Sequence, residues 1–246
     1  MGGELIRLIA ADPERYRLSA AWTAAGSEAI GRDAGELAGI APTGIACGPT
    51  GGDESAPDVV VDFSTAGACA EVARAAVAAG AALVCGTTGL DRDAEAALDD
   101  AAGRVPVLHA ANFSLGVAVL AELAATARRR LGGDFDAEIL EVHHRGKRDA
   151  PSGTARMLAK TLGDADASIR TGARQGGEVG CAVVRGGGVA GDHTVFFLGP
   201  HERLELVHRA GSRTVFADGA LKVARWLAGC ERGRYRLKDF LDRRAD

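Results

Sequence analysis

Aromatic side chains are scarce, at 4% of the 246 residues, so the core has to be built from Ala, Val, Leu and Ile. Long apolar runs are missing. None approaches the ~20 residues that a membrane-spanning helix requires. The opening Met1-Gly2-Gly3-Glu4-Leu5-Ile6-Arg7 lacks the basic-then-apolar layout of a signal peptide, and a cytoplasmic protein is expected. Positive charge is not in excess either: 29 Lys and Arg stand against 33 Asp and Glu, a formal net charge of −4. That balance offers no basic footprint for nucleic acid.

Cysteine is present but not organised. Cys47, Cys69, Cys85, Cys181 and Cys230 are widely scattered, odd in number and without CxxC spacing. Free thiols in a reducing compartment are expected, with neither disulfides nor a zinc site. Among the six histidines, only His143 and His144 lie close in sequence. Neighbouring strand residues point to opposite faces, so no metal site is expected from that pair.

Glycine is abundant, at 34 residues, and clusters between periodic segments as tight strand-to-helix turns require. A hydrophobic share of 47% beside 25% charged residues suits a soluble globular chain of one large domain or two modest ones. Leu5, Ile6, Leu8 and Ile9 share one helical face, and Asp12-Pro13 stops that helix. Residues 17–22 read as a short strand, and residues 31–57 as a loop without strong period. Buried strands are predicted at 59–63, 82–85 and 105–110, with helices at 71–79 and 93–102. Continuous apolar strands alternating with helices predict a parallel sheet covered on both faces.

A long helix over 114–131 leads away from that sheet and ends in Arg128-Arg129-Arg130, which complements its dipole. The pattern then changes. A strand at 138–144 and a helix at 153–162, opened by Ser152, are followed by strands at 181–184, 194–198 and 204–208. Strands in succession predict a mixed sheet and a second domain. Residues 213–227 return to a helical period and are expected to pack on the first domain. The predicted domains are 1–113, 114–219, and a C-terminal segment 220–246 returning to the first.

The chemistry concentrates in Glu141-Val142-His143-His144-Arg145-Gly146-Lys147-Arg148-Asp149-Ala150-Pro151-Ser152-Gly153-Thr154-Ala155. Two imidazoles and several cations precede a helix N-terminus. There the amides of Gly153 and Thr154 lack intrahelical acceptors and face whatever anion arrives. Lys147 and His144 add charge and donors. One reading is a pocket for a small carboxylate-bearing substrate with a proton donor at hand. The other is an ordinary capped helix behind a basic loop, because cap and anion site share the same physics.

The run E-x-H-H-x-x-K-x-D-x-P-S-G-T-A resembles the signature of the dihydrodipicolinate reductases. Other family-like segments follow in the expected order: Asp33 to Gly39, Val61 to Thr65, Cys85 to Gly89, Ala110 to Val117, Arg185, Gly191-Asp192-His193 and Ser212 to Ala217. The resemblance spans nearly the whole chain. It implies hydride transfer from NADH or NADPH to 4-hydroxy-tetrahydrodipicolinate, with loss of water, in lysine and diaminopimelate biosynthesis. Carried over by position, His143 matches the general acid/base, and Lys147 the residue that donates a proton or steadies developing charge. His144, Gly153 and Thr154 match groups that hold the substrate carboxylates. Gly86, Thr87 and Thr88, with Ala110, Ala111, Asn112 and Phe113, match the segments facing the nicotinamide half of the cofactor. Read without the family, Gly86 to Gly89 is a turn signal, and Asp62 and Ser64 read equally as a cap for the next helix. The resemblance also implies a homotetramer formed through the second domain's sheet.

The expected fold class is α/β: a Rossmann-like parallel sheet lacking its usual first strand, plus an α+β substrate and oligomerisation domain with a mixed sheet. Family members carry G-x-x-G-R-M-G between that first strand and its helix. Here Met1-Gly2 resembles the last two residues of the motif and leads straight into the helix. Trp22-Thr23-Ala24-Ala25 offers neither an acid for ribose hydroxyls nor a base for a 2′-phosphate, so the sequence does not choose between NADH and NADPH. Losing a central strand leaves its neighbours ~9.6 Å apart instead of ~4.8 Å. Three explanations are open. The start is assigned at an internal Met, the sheet has closed up with the 17–22 strand beside 59–63, or the chain is a non-catalytic dicarboxylate sensor. The first is favoured, because residues 5–11 keep the helix pattern that the strand would need.

Overall fold

A computed structural model of the chain describes residues 1–52, 56–164, 168–169, 172–174 and 177–243. Contacts divide it into two units, Met1–Phe113 with Phe216–Asp246, and Ser114–Val215. The first unit opens with α1 (Gly2–Ala11), β1 (Ala21–Thr23), α2 (Ala34–Ala38) and β2 (Cys47–Pro49). β3 (Val59–Asp62), α3 (Ala66–Ala79), β4 (Ala82–Cys85), α4 (Arg92–Ala102) and β5 (Pro106–His109) follow. The second unit holds α5 (Leu115–Leu131), β6 (Asp136–His143), α6 (Gly153–Thr161), β7 (Ser168–Ile169), β8 (Gly180–Arg185), β9 (Asp192–Leu198) and β10 (Arg203–Arg209). α7 (Thr214–Leu227), β11 (Gly233–Tyr235) and α8 (Leu237–Asp242) complete the chain.

In the first unit β11, β5, β4 and β3 form an all-parallel sheet in that order. Every residue of β4 is buried, as a strand covered on both faces demands. α3 and α4 pack on it through Ala73, Ala76, Ala94 and Ala101 around Leu83, Leu98 and Val107. This is how a chain poor in aromatics fills its core. Phe113 is an aromatic exception, fully buried and edge-on to Phe63 at 5.6 Å.

Two sequence expectations need correction. β1 covers Ala21–Thr23 rather than 17–22, because its ladder partner β2 matches only three residues, from Ala21 opposite Cys47 to Thr23 opposite Pro49. The segment 31–57, read as a loop, contains that strand and α2 as well; residues 53–55 of it lie outside the described residues. α2 is capped by Asp33, which accepts from the Gly35 and Glu36 amides and gathers those of Thr43 and Gly44. β1 and β2 form a separate two-stranded sheet, so β1 does not pair with β3 and the closed-up arrangement is not adopted. β11 and α8 were not foreseen either. β11 pairs with β5, and Trp226 of α7 meets Tyr235 and Phe240 at 5.4 and 5.6 Å.

The second unit is a five-stranded mixed sheet in the order β10-β9-β6-β8-β7, with β7, β8 and β6 parallel and β9 and β10 antiparallel to their neighbours. α5 and α6 cover one face, packing Leu120, Ala124 and Leu158 on Ile139, Val195 and Phe197. Ser114 caps α5, and Arg128 in its last turn bonds the carbonyls of Gly132 and Phe135. On the other face, register aligns Ala182, Leu140, Thr194 and Val207 in one row. Val184 and Val207 there are 45% and 43% exposed. Among the described residues, no helix is long and apolar enough to cross a membrane.

Candidate active site

β6 alternates its burial along its length, which puts Glu141 and His143 together on the covered face. Register then chooses their neighbours. Glu141 lies opposite His193 of β9, and His143 opposite Arg185 of β8. The Glu141 carboxylate is fully buried, and its Oε1 accepts from the Ser152 amide at 2.9 Å and from the Arg185 guanidinium at 3.0 Å. Its Oε2 lies 2.7 Å from His143 Nδ1. Ser152 Oγ accepts from the Ala155 amide, capping α6, and meets His193 Nε2 at 3.3 Å. The His143 and His193 rings stand edge to face with centroids 5.2 Å apart.

Burial alone would push the Glu141 carboxyl up. Hydrogen bonds from Ser152 and Arg185, with the charge His143 carries when protonated, outweigh it and hold the group below the usual carboxylate value. Burial is the main force lowering His143; Glu141 opposes it, while Lys147 and Arg185 reinforce it. His193 is pushed down to about 4, by burial first and then by His143. Near neutral pH the cluster is therefore an ionised carboxylate between two neutral imidazoles.

The loop from His144 to Ser152 brings up the remaining predicted residues. Lys147 Nζ pairs with both oxygens of Asp149, at 2.8 and 2.9 Å, and its side chain is 20% exposed. Arg185 ties this loop to β6 by donating to the Asp149 carbonyl at 2.7 Å. Gly153, exposed, and Thr154, half-buried, are the first two residues of α6, directly after Ser152. His144 is half-buried, with its amide held by the Val189 carbonyl at 2.8 Å, and its ring joins none of the bonds above. Glu141 thus links buried His143 to the cap of α6, where Gly153 and Thr154 follow, and Lys147 is near enough to act on the His143 charge.

Ligand atoms of Glu141, His143 and His193 all lie within 4.8 Å, a grouping that sequence spacing did not reveal. A tetrahedral ion with ~2.1 Å bonds would hold its ligand atoms about 3.4 Å apart. The 2.7 Å between Glu141 and His143 is closer than two ligands of one such ion would stand. Asp62, Cys69 and Cys85 form a second such group, and all five cysteines are free thiols. Burial raises the Cys85 thiol, which keeps it protonated.

In the first unit, Gly86, Thr87 and Thr88 follow β4, and Ala110 to Phe113 follow β5, at the carboxyl edge of the parallel sheet. Asp62 does not cap α3, whose N-cap Thr65 makes no side-chain bond. Its carboxylate accepts from the Ser64 amide at 2.8 Å and the Thr87 hydroxyl at 2.9 Å. His109 Nε2 meets the Thr87 carbonyl at 3.0 Å from the other side. At Gly86 the direction a side chain would take is filled by the Phe63 ring, so this glycine answers to packing. Thr87 and Phe113 turn their side chains inward, while Thr88 and Ala111 are exposed. Small, braced and backbone-presenting positions at that edge fit the nicotinamide half of a dinucleotide.

Two family models cover the chain: "Dihydrodipicolinate reductase, N-terminus" matches residues 1–113, and "Dihydrodipicolinate reductase, C-terminus" matches residues 116–241. The chain belongs to the dihydrodipicolinate reductase family. Within that family, it is 46% identical to the 4-hydroxy-tetrahydrodipicolinate reductase of Anaeromyxobacter dehalogenans (strain 2CP-1), across 98% of this chain and 93% of that protein. The Myxococcus xanthus (strain DK1622) protein of the same name is 42% identical over the same shares. Among solved structures, a dipicolinate-bound dihydrodipicolinate reductase from Paenisporosarcina sp. TG-14 superposes with a TM-score of 0.69 at 20% identity, covering 95% of this chain and 92% of that one. An amine dehydrogenase from Mycobacterium smegmatis gives 0.57 at 13% identity, over 96% and 92%. These two likenesses bear on the fold alone.

Proposed function

We infer that the chain reduces 4-hydroxy-tetrahydrodipicolinate to tetrahydrodipicolinate, with loss of water, at the expense of NADH or NADPH, in lysine and diaminopimelate biosynthesis. The observation that carries this reading is the buried Glu141–His143 pair bonded to the residue that opens α6. An anion held at that N-terminus has a proton-bearing imidazole and an ammonium beside it. A bound nucleotide supplies the hydride. Gly153 and Thr154 present backbone amides to one carboxylate, His144 adds a donor, and Lys147 exchanges Asp149 for the incoming negative charge. His143 moves the accompanying proton. Gly86, Thr87, Thr88, Ala110, Ala111, Asn112 and Phe113 hold the nicotinamide half, mostly by backbone. Thr23-Ala24-Ala25 carries no charge that would select one nucleotide.

A cytoplasmic homotetramer completes the reading. Its support is the open face of the second unit's sheet, where Leu140, Val142 and Phe196 lie only part-buried beside exposed Val184 and Val207. The site is tested by steady-state nucleotide oxidation in three variants. His143→Gln and Lys147→Met are each expected to lower kcat by on the order of 10²-fold or more, with KM little changed. Thr154→Trp is expected to raise the KM for the dicarboxylate before it lowers kcat. A His143→Gln/Lys147→Met double variant turning over near the parent rate contradicts the assignment.

A further inference from the structure

His143 is held more tightly than a proton donor at a surface loop would be. Glu141 Oε1 already accepts from Ser152 and Arg185, at 2.9 and 3.0 Å. Among the described residues, its Oε2 has no other partner than His143 Nδ1, and Nδ1 has no other partner than Oε2. The 2.7 Å contact is short rather than well aligned. An ionised carboxylate only accepts, so a neutral ring that meets it at this distance carries its proton on Nδ1. On the opposite edge of the ring, His143 Nε2 faces Gly191, where a Cβ would come within 3.0 Å. Absence of a side chain there leaves that nitrogen uncrowded.

We propose that Glu141 is the positioning residue for His143, fixing the ring as its Nδ1–H tautomer so that Nε2 exchanges the proton of the reduction. The same carboxylate binds the ring to the N-cap of the substrate helix through the Ser152 amide. Orientation of the donor and capture of the dianion are thus set by one buried group. This rests on the reading of His143 as the acid/base. The charged and titratable groups facing the ring are Glu141 on β6, Lys147 and Asp149 in the following loop, Arg185 on β8 and His193 on β9.

Glu141→Gln separates positioning from simple burial. Ser152 and Arg185 still need an acceptor, so the amide oxygen stays with them and the NH₂ faces His143 Nδ1. A donor at that place forces the proton onto Nε2, the wrong tautomer for proton exchange. Long-range ¹H–¹⁵N spectra of the histidine-labelled full chain read the tautomer without any ligand. Expected are Nδ1–H in the parent protein and in Glu141→Asp, and Nε2–H in Glu141→Gln. With the kinetics, Glu141→Gln should lose on the order of 10²–10⁴-fold in kcat with KM for the dicarboxylate changed less than about threefold, and Glu141→Asp should recover part of the loss. An Nε2–H tautomer in the parent protein overturns the proposal even if Glu141→Gln does not fold. So does an unchanged tautomer with kcat within about threefold in Glu141→Gln. A near-parent rate in His143→Asn would instead overturn the reading of His143 on which the proposal rests.

Discussion

His193 is a buried imidazole wedged between His143 and the cap of α6, and burial drives its pKa to about 4. In an unfolded chain the same group titrates near ~6.5. Between those values the unfolded state binds a proton that the folded state refuses, so stability rises with pH across the window and is lost on acidification. The His193→Gln variant should therefore show a shallower fall in urea midpoint from pH 6.5 to pH 4. The difference in slope is at most about 1.4 kcal/mol per pH unit. Parallel curves for parent and variant would contradict it. This role was hidden in the sequence. His143, Lys147, Gly153 and Thr154 stand within one contiguous run, so chemistry and spacing disclosed them together. His193 is 50 positions further on and joins the cluster only because β9 pairs antiparallel with β6 in a register that sets it opposite Glu141. Arg185 is drawn in by the β6–β8 ladder in the same way.

At the scale of elements, the longer ones are legible; of the three-residue strands, β1 is legible only with loose bounds and β2 and β11 are not. β4 is legible at its observed bounds because four buried apolar residues sit between clear helix signals. β2 and β11 offer three residues each, Cys47-Gly48-Pro49 and Gly233-Arg234-Tyr235, too few for any alternation to register. They exist as strands because β1 and β5 give them ladders. α2 did carry a signal, an acidic N-cap at Asp33 and glycine at the other end, Gly39. The turn after β4 makes a prediction of its own. Gly86→Ala would drive a methyl group into the Phe63 ring, and Phe63 in turn packs on Phe113. A cost of about 1–3 kcal/mol in denaturant unfolding is expected, from overpacking, with a raised KM for the nucleotide as the turn shifts. Unchanged stability and KM would show that the ring yields freely.

For the whole molecule, each unit has its own sheet and its own core. Sequence alternation foresaw the parallel first sheet and the mixed second one. It did not foresee that β1 and β2 form a sheet of their own, because a ladder between residues 21–23 and 47–49 is set by pairing and not by periodicity. The open face of the second sheet is where self-association is expected. Val184→Glu with Val207→Lys places charge on two of its exposed apolar positions. Light scattering should report a tetramer for the parent chain and smaller species for the double variant, with the far-ultraviolet spectrum retained. A parent chain that is monomeric at micromolar concentration would contradict the tetramer.

The most direct test is the absorbance of reduced nucleotide at 340 nm when the folded chain is given freshly generated 4-hydroxy-tetrahydrodipicolinate. Oxidation of NADH or NADPH is expected to depend on the dicarboxylate, to saturate with it and to be inhibited by 2,6-pyridinedicarboxylate. If both nucleotides stay reduced while calorimetry shows 2,6-pyridinedicarboxylate bound to the same preparation, the chain holds the dianion without reducing it, and the account is wrong.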